Sequence, residues 1–196
     1  MEHKFQELQK KLKKELDSER YAHTLGVMYT AASLAMCHGA DVGEAMTAGL
    51  LHDCAKGIPN EQKIEKCKQY HLDISDVEYA NPGLLHAKLG AFLAVQKYQV
   101  ESEDVIHAIS AHTTGRPGMS LLEKIIYIAD YMEPGRAELP NMKEVRKLAF
   151  HNIDECLYRI LKDSLIYLAS KKLPIDPMTQ KTYEYYKEKL GKQEDS

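Results

Sequence analysis

Leu50-Leu51-His52-Asp53-Cys54-Ala55-Lys56 sets an imidazole beside a carboxylate at the end of an apolar run. Neighbouring helical side chains point about 100° apart, so His52 and Asp53 cannot share a face, but both can reach one point beyond the helix edge. A carboxylate has two oxygens, so Asp53 could also bridge two ions. Lys56, three residues on, returns to the Asp53 face and brings a cation to whatever that carboxylate holds. Taken alone, the doublet reads first as a capped helix end with a hydrogen-bonded histidine. It is not alone. His23 lies mid-helix among small and apolar neighbours, His86 falls in Leu84-Leu85-His86-Ala87, and His112 closes Ile109-Ser110-Ala111-His112. Asp130 interrupts the apolar Ile126-Tyr127-Ile128-Ala129-Asp130-Tyr131. Each singly is a satisfied core residue, but a buried carboxylate is costly unless it is paired or metal-bound. Six such groups on five predicted helices, all in apolar surroundings, would find partners together at one metal centre.

The elements that must bring these groups together read as helices nearly throughout. Phe5, Leu8, Leu12 and Leu16 form the stripe of an amphipathic first helix. Ser18 is read as the cap of a helix running to about His38 and stopped by Gly39. Asp41-Val42-Gly43-Glu44 fits a capping box for the helix that delivers His52 and Asp53, ended by Gly57 and Pro59. Residues 60–70 read as a short exposed helix, and Ser75, Ser102 and Ser120 as caps for later ones. Leu84 to Tyr98 is strongly helical and carries His86. Asn141-x-x-Glu144 and Asn152-x-x-Glu155 open two more helices, and Met178 to Leu190 is the last. Alternating strand patterns and hairpin turn dipeptides are absent. The expectation is an all-α bundle of eight to ten helices in one domain over 1–196. Residues 1–17 supply the first helix, 18–135 the metal-binding core, and 136–196 the C-terminal helices.

Composition narrows the function. The 196 residues are 44% hydrophobic and 28% charged, with a formal charge of −3. This leaves no broad basic field for nucleic acid, though a local basic cluster for a small anion is still open. Cys37, Cys54, Cys67 and Cys156 have no C-x-x-C spacing, so they read as reduced, mostly buried thiols. There is no signal-peptide pattern and no apolar run near the roughly 20 residues that span a bilayer, so a cytoplasmic protein is expected.

The order His23 … His52-Asp53 … His86 … His112 … Asp130 resembles the HD-domain superfamily of metal-dependent phosphohydrolases. Its minimal signature maps onto His23, His52, Asp53 and Asp130, while His86 and His112 match the subset with two ions. The segments Arg20-Tyr21-Ala22-His23-Thr24-Leu25-Gly26-Val27, Gly49 to Lys56, His112-Thr113-Thr114-Gly115 and Ile128 to Arg136 further resemble the YqeK family. That family consists of symmetrical bis(5'-nucleosyl)-tetraphosphatases. The resemblance implies one ion on His23, His52, Asp53 and Asp130 and a second on His86 and His112, with Asp53 bridging. It also implies iron, with manganese the nearest rival. The donor set itself favours a borderline transition metal over Mg²⁺.

By the same resemblance the reaction is hydrolysis of a dinucleoside tetraphosphate, such as diadenosine tetraphosphate, at its central anhydride. Asp53 and Lys56 are the catalytic candidates. His23, His86, His112 and Asp130 meet substrate as well as metal. Arg20 and Arg136 adjoin ligand-bearing segments and read with Lys56 as phosphate contacts, against the plainer reading of surface charges. The break Lys172-Leu173-Pro174-Ile175-Asp176 either holds the nucleoside through Leu173 and Ile175 or is a simple interhelical turn. Gly115-Arg116-Pro117-Gly118 is a lid or a plain loop. A P-loop is absent. His3, His38, His71, His107 and His151 read as non-ligands. Competing readings are an HD phosphohydrolase for another nucleotide and a nucleotide- or metal-sensing module without turnover. The first helix and the family analogy together suggest a homodimer.

Overall fold

The computed structural model describes residues 2–191, with side chains from residue 5. Residue 1, residues 192–196 and the side chain of His3 lie outside the described residues. Eleven α-helices follow in order: α1 Glu2–Glu15, α2 Ser18–His38, α3 Val42–Leu51, α4 Asn60–Gln69, α5 Asp76–Ala80, α6 Leu85–Gln96, α7 Glu103–Ala111, α8 Leu121–Met132, α9 Met142–Ala149, α10 Ile153–Ser170 and α11 Pro177–Lys189. A 3₁₀ turn, Pro82–Leu84, precedes α6. There is no strand among the described residues. The count exceeds the expected eight to ten by the five-residue α5.

The caps account for the starts. Asp17, not Ser18, opens α2, its carboxylate accepting from the Arg20 N–H. Asp41 caps α3 through the Glu44 N–H, but the reciprocal half of the expected box is missing, because Glu44 accepts instead from the Ser102 hydroxyl at 2.6 Å. Ser75 and Ser120 make complete capping boxes with Glu78 and Glu123. Asn141 makes no cap; its amide donates to the Tyr131 hydroxyl and to Asp163.

α2 packs along α3 and α8, α7 along α6 and α8, and α10 against α8, α9 and α11. The apolar faces of these helices close one main core. The α2–α3 crossing is tight at Gly49, where a Cβ would stand 2.8 Å from the Met28 Cα. Leu8 and Leu12 of α1 and Leu16 just beyond it are buried in this same core, so the apolar stripe of the first helix is spent within the protomer. Glu15 ties the end of α1 to the end of α6, accepting from the Tyr98 hydroxyl at 2.7 Å and Lys97 at 2.6 Å. α4 is not simply exposed: Cys67 joins Ala55, Leu85 and Leu89 in a second small apolar cluster, and Lys63 is buried beside it.

Candidate metal centre

The doublet does not ride on a helix. α3 ends at Leu51, His52 is its C-cap, and residues 52–57 are a succession of turns. The Lys56 N–H donates to the Asp53 carbonyl at 2.9 Å, and this turn, rather than helical periodicity, returns Lys56 to Asp53. His52 and Asp53 both face the space between α2, α6, α7 and α8.

All six predicted ligands converge there. His23 Nε2 lies 3.0 Å from Asp130 Oδ1 and 3.3 Å from His52 Nε2. His86 Nε2 lies 3.0 Å from His112 Nε2 and 3.1 Å from Asp53 Oδ1. Asp53 stands between the groups, with Oδ1 3.6 Å from His112 Nε2 and Oδ2 3.8 Å from His52 Nε2. His52, Asp53, His86 and His112 are buried, and His23 and Asp130 are partly so.

The ring orientations favour a cation. The Nδ1 nitrogens of His52, His86 and His112 donate to the carbonyls of Gly49, Gly83 and Ile109 at 2.6–2.8 Å. In the neutral rings each Nε2 is then a bare lone pair, and these lone pairs face one another. Two nitrogens bonded at about 2.1 Å to one ion at right angles are about 3.0 Å apart, which is the spacing found here. Asp53 Oδ1 is buried and has no hydrogen-bond donor. The donor set therefore fits one or two divalent ions. Burial works to raise both carboxyls; without metal, hydrogen bonds and charge from the surrounding imidazoles when these are protonated, with Lys56 beside Asp53, outweigh it and hold Asp53 and Asp130 well below the ordinary range. Burial, reinforced by His112 and Lys56 against the pull of Asp53, brings His86 down to about 4, keeping it neutral and able to ligate.

Three cations ring the cluster. Lys56 Nζ is 3.6 Å from Asp53 Oδ1 and 3.1 Å from His86 Nε2. Arg20 Nη1 is 3.8 Å from Asp53 Oδ2. The turn through Pro134 and Gly135 folds Arg136 back, so that its Nη2 donates to Asp130 Oδ1 at 2.5 Å. A cleft of about 410 Å³ opens over the centre, lined by Lys56, His112, Thr113, Asp130 and Arg136 among others. A second, of about 750 Å³, shares His23 and Arg136.

Leu173 and Ile175 line neither of these two clefts, although Asp176 next to them lines a third, which shares Thr113. The loop at 115–118 is anchored. Arg116 donates twice to the fully buried Glu123, at 2.6 and 2.7 Å, and a Cβ at Gly115 would stand 2.8 Å from Thr182. These contacts support the plain-loop reading. His38 bonds the Ala149 carbonyl, and His71, His107 and His151 are exposed, so none of them joins the cluster.

Three residues were missed from sequence. Thr113 Oγ1 lies 3.3 Å from both His86 Nε2 and His112 Nε2. Glu133 accepts from His23 Nδ1 at 3.0 Å; its position three residues after Asp130, at the C-cap of α8, was the available signal. Lys63 was taken for surface, yet burial and the nearby cations Lys56 and Arg20 push its ammonium below its usual value.

With this geometry established, the chain compares closely with known proteins. The HD domain family matches residues 20–135, more than half of the chain. A protein of Bacillus subtilis named "Bis(5'-nucleosyl)-tetraphosphatase, symmetrical" is 42% identical over 174 residues, which is 89% of this chain and 92% of that protein. A protein of the same name from Staphylococcus aureus is 34% identical over 89% of this chain and 90% of its own length. The crystal structure of a "predicted HD superfamily hydrolase involved in NAD metabolism" from Clostridium acetobutylicum is 39% identical and superposes with a TM-score of 0.91, covering 94% of this chain and 97% of that one. The helical frame, the six converging donors and the near full-length likeness agree: this chain belongs to the HD domain family of hydrolases.

Proposed function

We propose that this protein hydrolyses dinucleoside tetraphosphates at the central anhydride, yielding two nucleoside diphosphates, with two iron ions as its metal and manganese as the closest substitute. The observation that carries this reading is the arrangement of Asp53, whose two oxygens face separate histidine groups. The names of the near full-length relatives support the same substrate.

His23, His52 and Asp130 would hold one ion and His86 and His112 the other, with one Asp53 oxygen turned to each. Such a pair supplies an acidified water and draws charge from the phosphoryl oxygens. The chain's own residues do the rest. Lys56 and Arg20 stand on the Asp53 side and Arg136 on the Asp130 side, so positive charge flanks the centre in two directions. That suits a bond with a diphosphate on either side, since each leaving half needs its own neutralisation. Arginine's planar fork matches phosphate oxygens in pairs, and lysine offers a point charge. Leu173 and Ile175 are the proposed nucleoside contacts.

Anaerobically prepared, iron-loaded protein incubated with diadenosine tetraphosphate should release ADP as the nucleotide product. AMP with ATP would refute the symmetrical cut. Absence of any nucleotide product with iron or manganese would favour a sensing module, and turnover only of another nucleotide in a substrate panel would favour a different HD phosphohydrolase.

A further inference from the structure

Three of the four inward-facing histidines are oriented by backbone. His52 and His112 are C-caps, and each donates its Nδ1–H to the carbonyl three residues back, one of the carbonyls a helix end leaves without an intrahelical partner. His86, in the first turn of α6, uses the Gly83 carbonyl of the preceding 3₁₀ turn. His23 has no such option. It lies inside the 21-residue α2, where the nearby carbonyls already accept helical N–H groups. Its Nδ1 needs an acceptor from elsewhere in the fold, and Glu133 supplies it at 3.0 Å.

The surroundings are built to that carboxylate. Glu133 is 2% exposed, and its Oε2 accepts the Gly135 N–H at 2.5 Å. A Cβ on Gly26 would stand 2.3 Å from Oε2, and one on Gly135 3.1 Å from both oxygens. Two glycines therefore leave the space in which the carboxylate lies. A carboxylate on Nδ1–H fixes the tautomer that points Nε2 inward and makes the imidazole a more basic ligand than a carbonyl partner does.

We infer that Glu133 is a positioning residue acting through His23, so that the ion held by His23, His52 and Asp130 depends on it and the ion held by His86 and His112 does not. This rests on the two-ion reading above. Glu133→Gln keeps the shape but offers one acceptor oxygen for two donors, His23 Nδ1–H and the Gly135 N–H.

The test is manganese titration of metal-free protein, read by the electron paramagnetic resonance of free Mn²⁺, with helical circular dichroism as the folding control. In Glu133→Gln, one of two affinities should fall about 10- to 100-fold and the other stay within about threefold. In a His86→Ala background the remaining ion should be the sensitive one. Gly26→Ala, which displaces the carboxylate without removing it, should weaken the same ion and serves if Glu133→Gln does not fold. Wild-type affinity for both ions in both variants, or equal weakening of both, would overturn the inference. A wild-type chain that binds a single manganese would sink the two-ion reading instead; loss of that ion in Glu133→Gln would still support the role of Glu133, and its retention would refute it. None of these readouts needs substrate.

Discussion

Gly49→Ala should loosen the metal centre without touching a ligand. The added methyl would stand 2.8 Å from Met28 Cα, 3.1 Å from Met28 N and 3.3 Å from the Val27 carbonyl carbon. Carbon atoms at contact prefer about 3.5–4.0 Å, so the shortfall is about 1 Å. Every atom met is backbone, so no side chain can swing away, and α3 must move off α2 by roughly that amount. His52 moves with it, because its ring is bonded to the Gly49 carbonyl at 2.8 Å. The 3.3 Å between His23 and His52 Nε2 would then open to about 4 Å, while metal sites tolerate about 0.2 Å in their bond lengths. Overpacking costs about 1–3 kcal/mol, against a helix-propensity gain from alanine of roughly 0.5–1 kcal/mol. We expect a net loss of about 1–2 kcal/mol in urea unfolding of metal-free protein and a fall of at least tenfold in manganese affinity. Gly57→Ala, where a Cβ meets nothing within 4 Å, is the control. A Gly49→Ala protein with unchanged stability and unchanged manganese binding would refute the claim that this crossing sets the spacing.

Other perturbations separate the roles of individual groups. His52→Ala and Asp53→Ala should each abolish bound metal and hydrolysis while most helical circular dichroism survives; retained turnover would end the catalytic assignment. Lys56→Ala should raise KM or lower kcat at unchanged metal content, measured by metal analysis beside steady-state kinetics. Stability of the chelated protein should depend on pH through His86. Its folded value of about 4 lies below the roughly 6.5 of an unfolded histidine, so the unfolded chain binds the extra proton between those values. That contribution is present above about pH 6.5 and is lost as pH falls towards 4, which thermal melts of wild type and His86→Ala would compare.

The six converging donors were legible because each is an ionisable residue in an apolar stretch of sequence, a pattern that cannot be buried cheaply without a partner. The caps were legible where a short polar side chain precedes a helix, as at Ser75, Ser102 and Ser120. They failed where two candidates compete: Asp17 took the place of Ser18, and Asn141 spent its amide on Tyr131 and Asp163. The turns after Leu51 were hidden because the Cys54-Ala55 pair continues an apolar run. Glu133 was hidden for a different reason. A glutamate before proline at a helix end reads as solvent-exposed, and only the chain folding back from α8 onto α2 shows that it is buried against His23.

The last helix contributes no donor, yet it backs the segment that carries one. Thr182 donates its hydroxyl to the Met178 carbonyl of its own helix at 2.7 Å, stands 3.3 Å from the Thr114 carbonyl two residues past His112, and packs against Gly115. A chain cut before residue 177 would retain all four imidazoles and both acids and lose the wall behind His112. Inspection of its candidate ligand residues would pass it as competent, while under the proposed two-ion reading its hold on an ion at His86 and His112 would weaken. Proteolytic nicking of α11 would act on chemistry at a distance, through the packing of a threonine on a glycine.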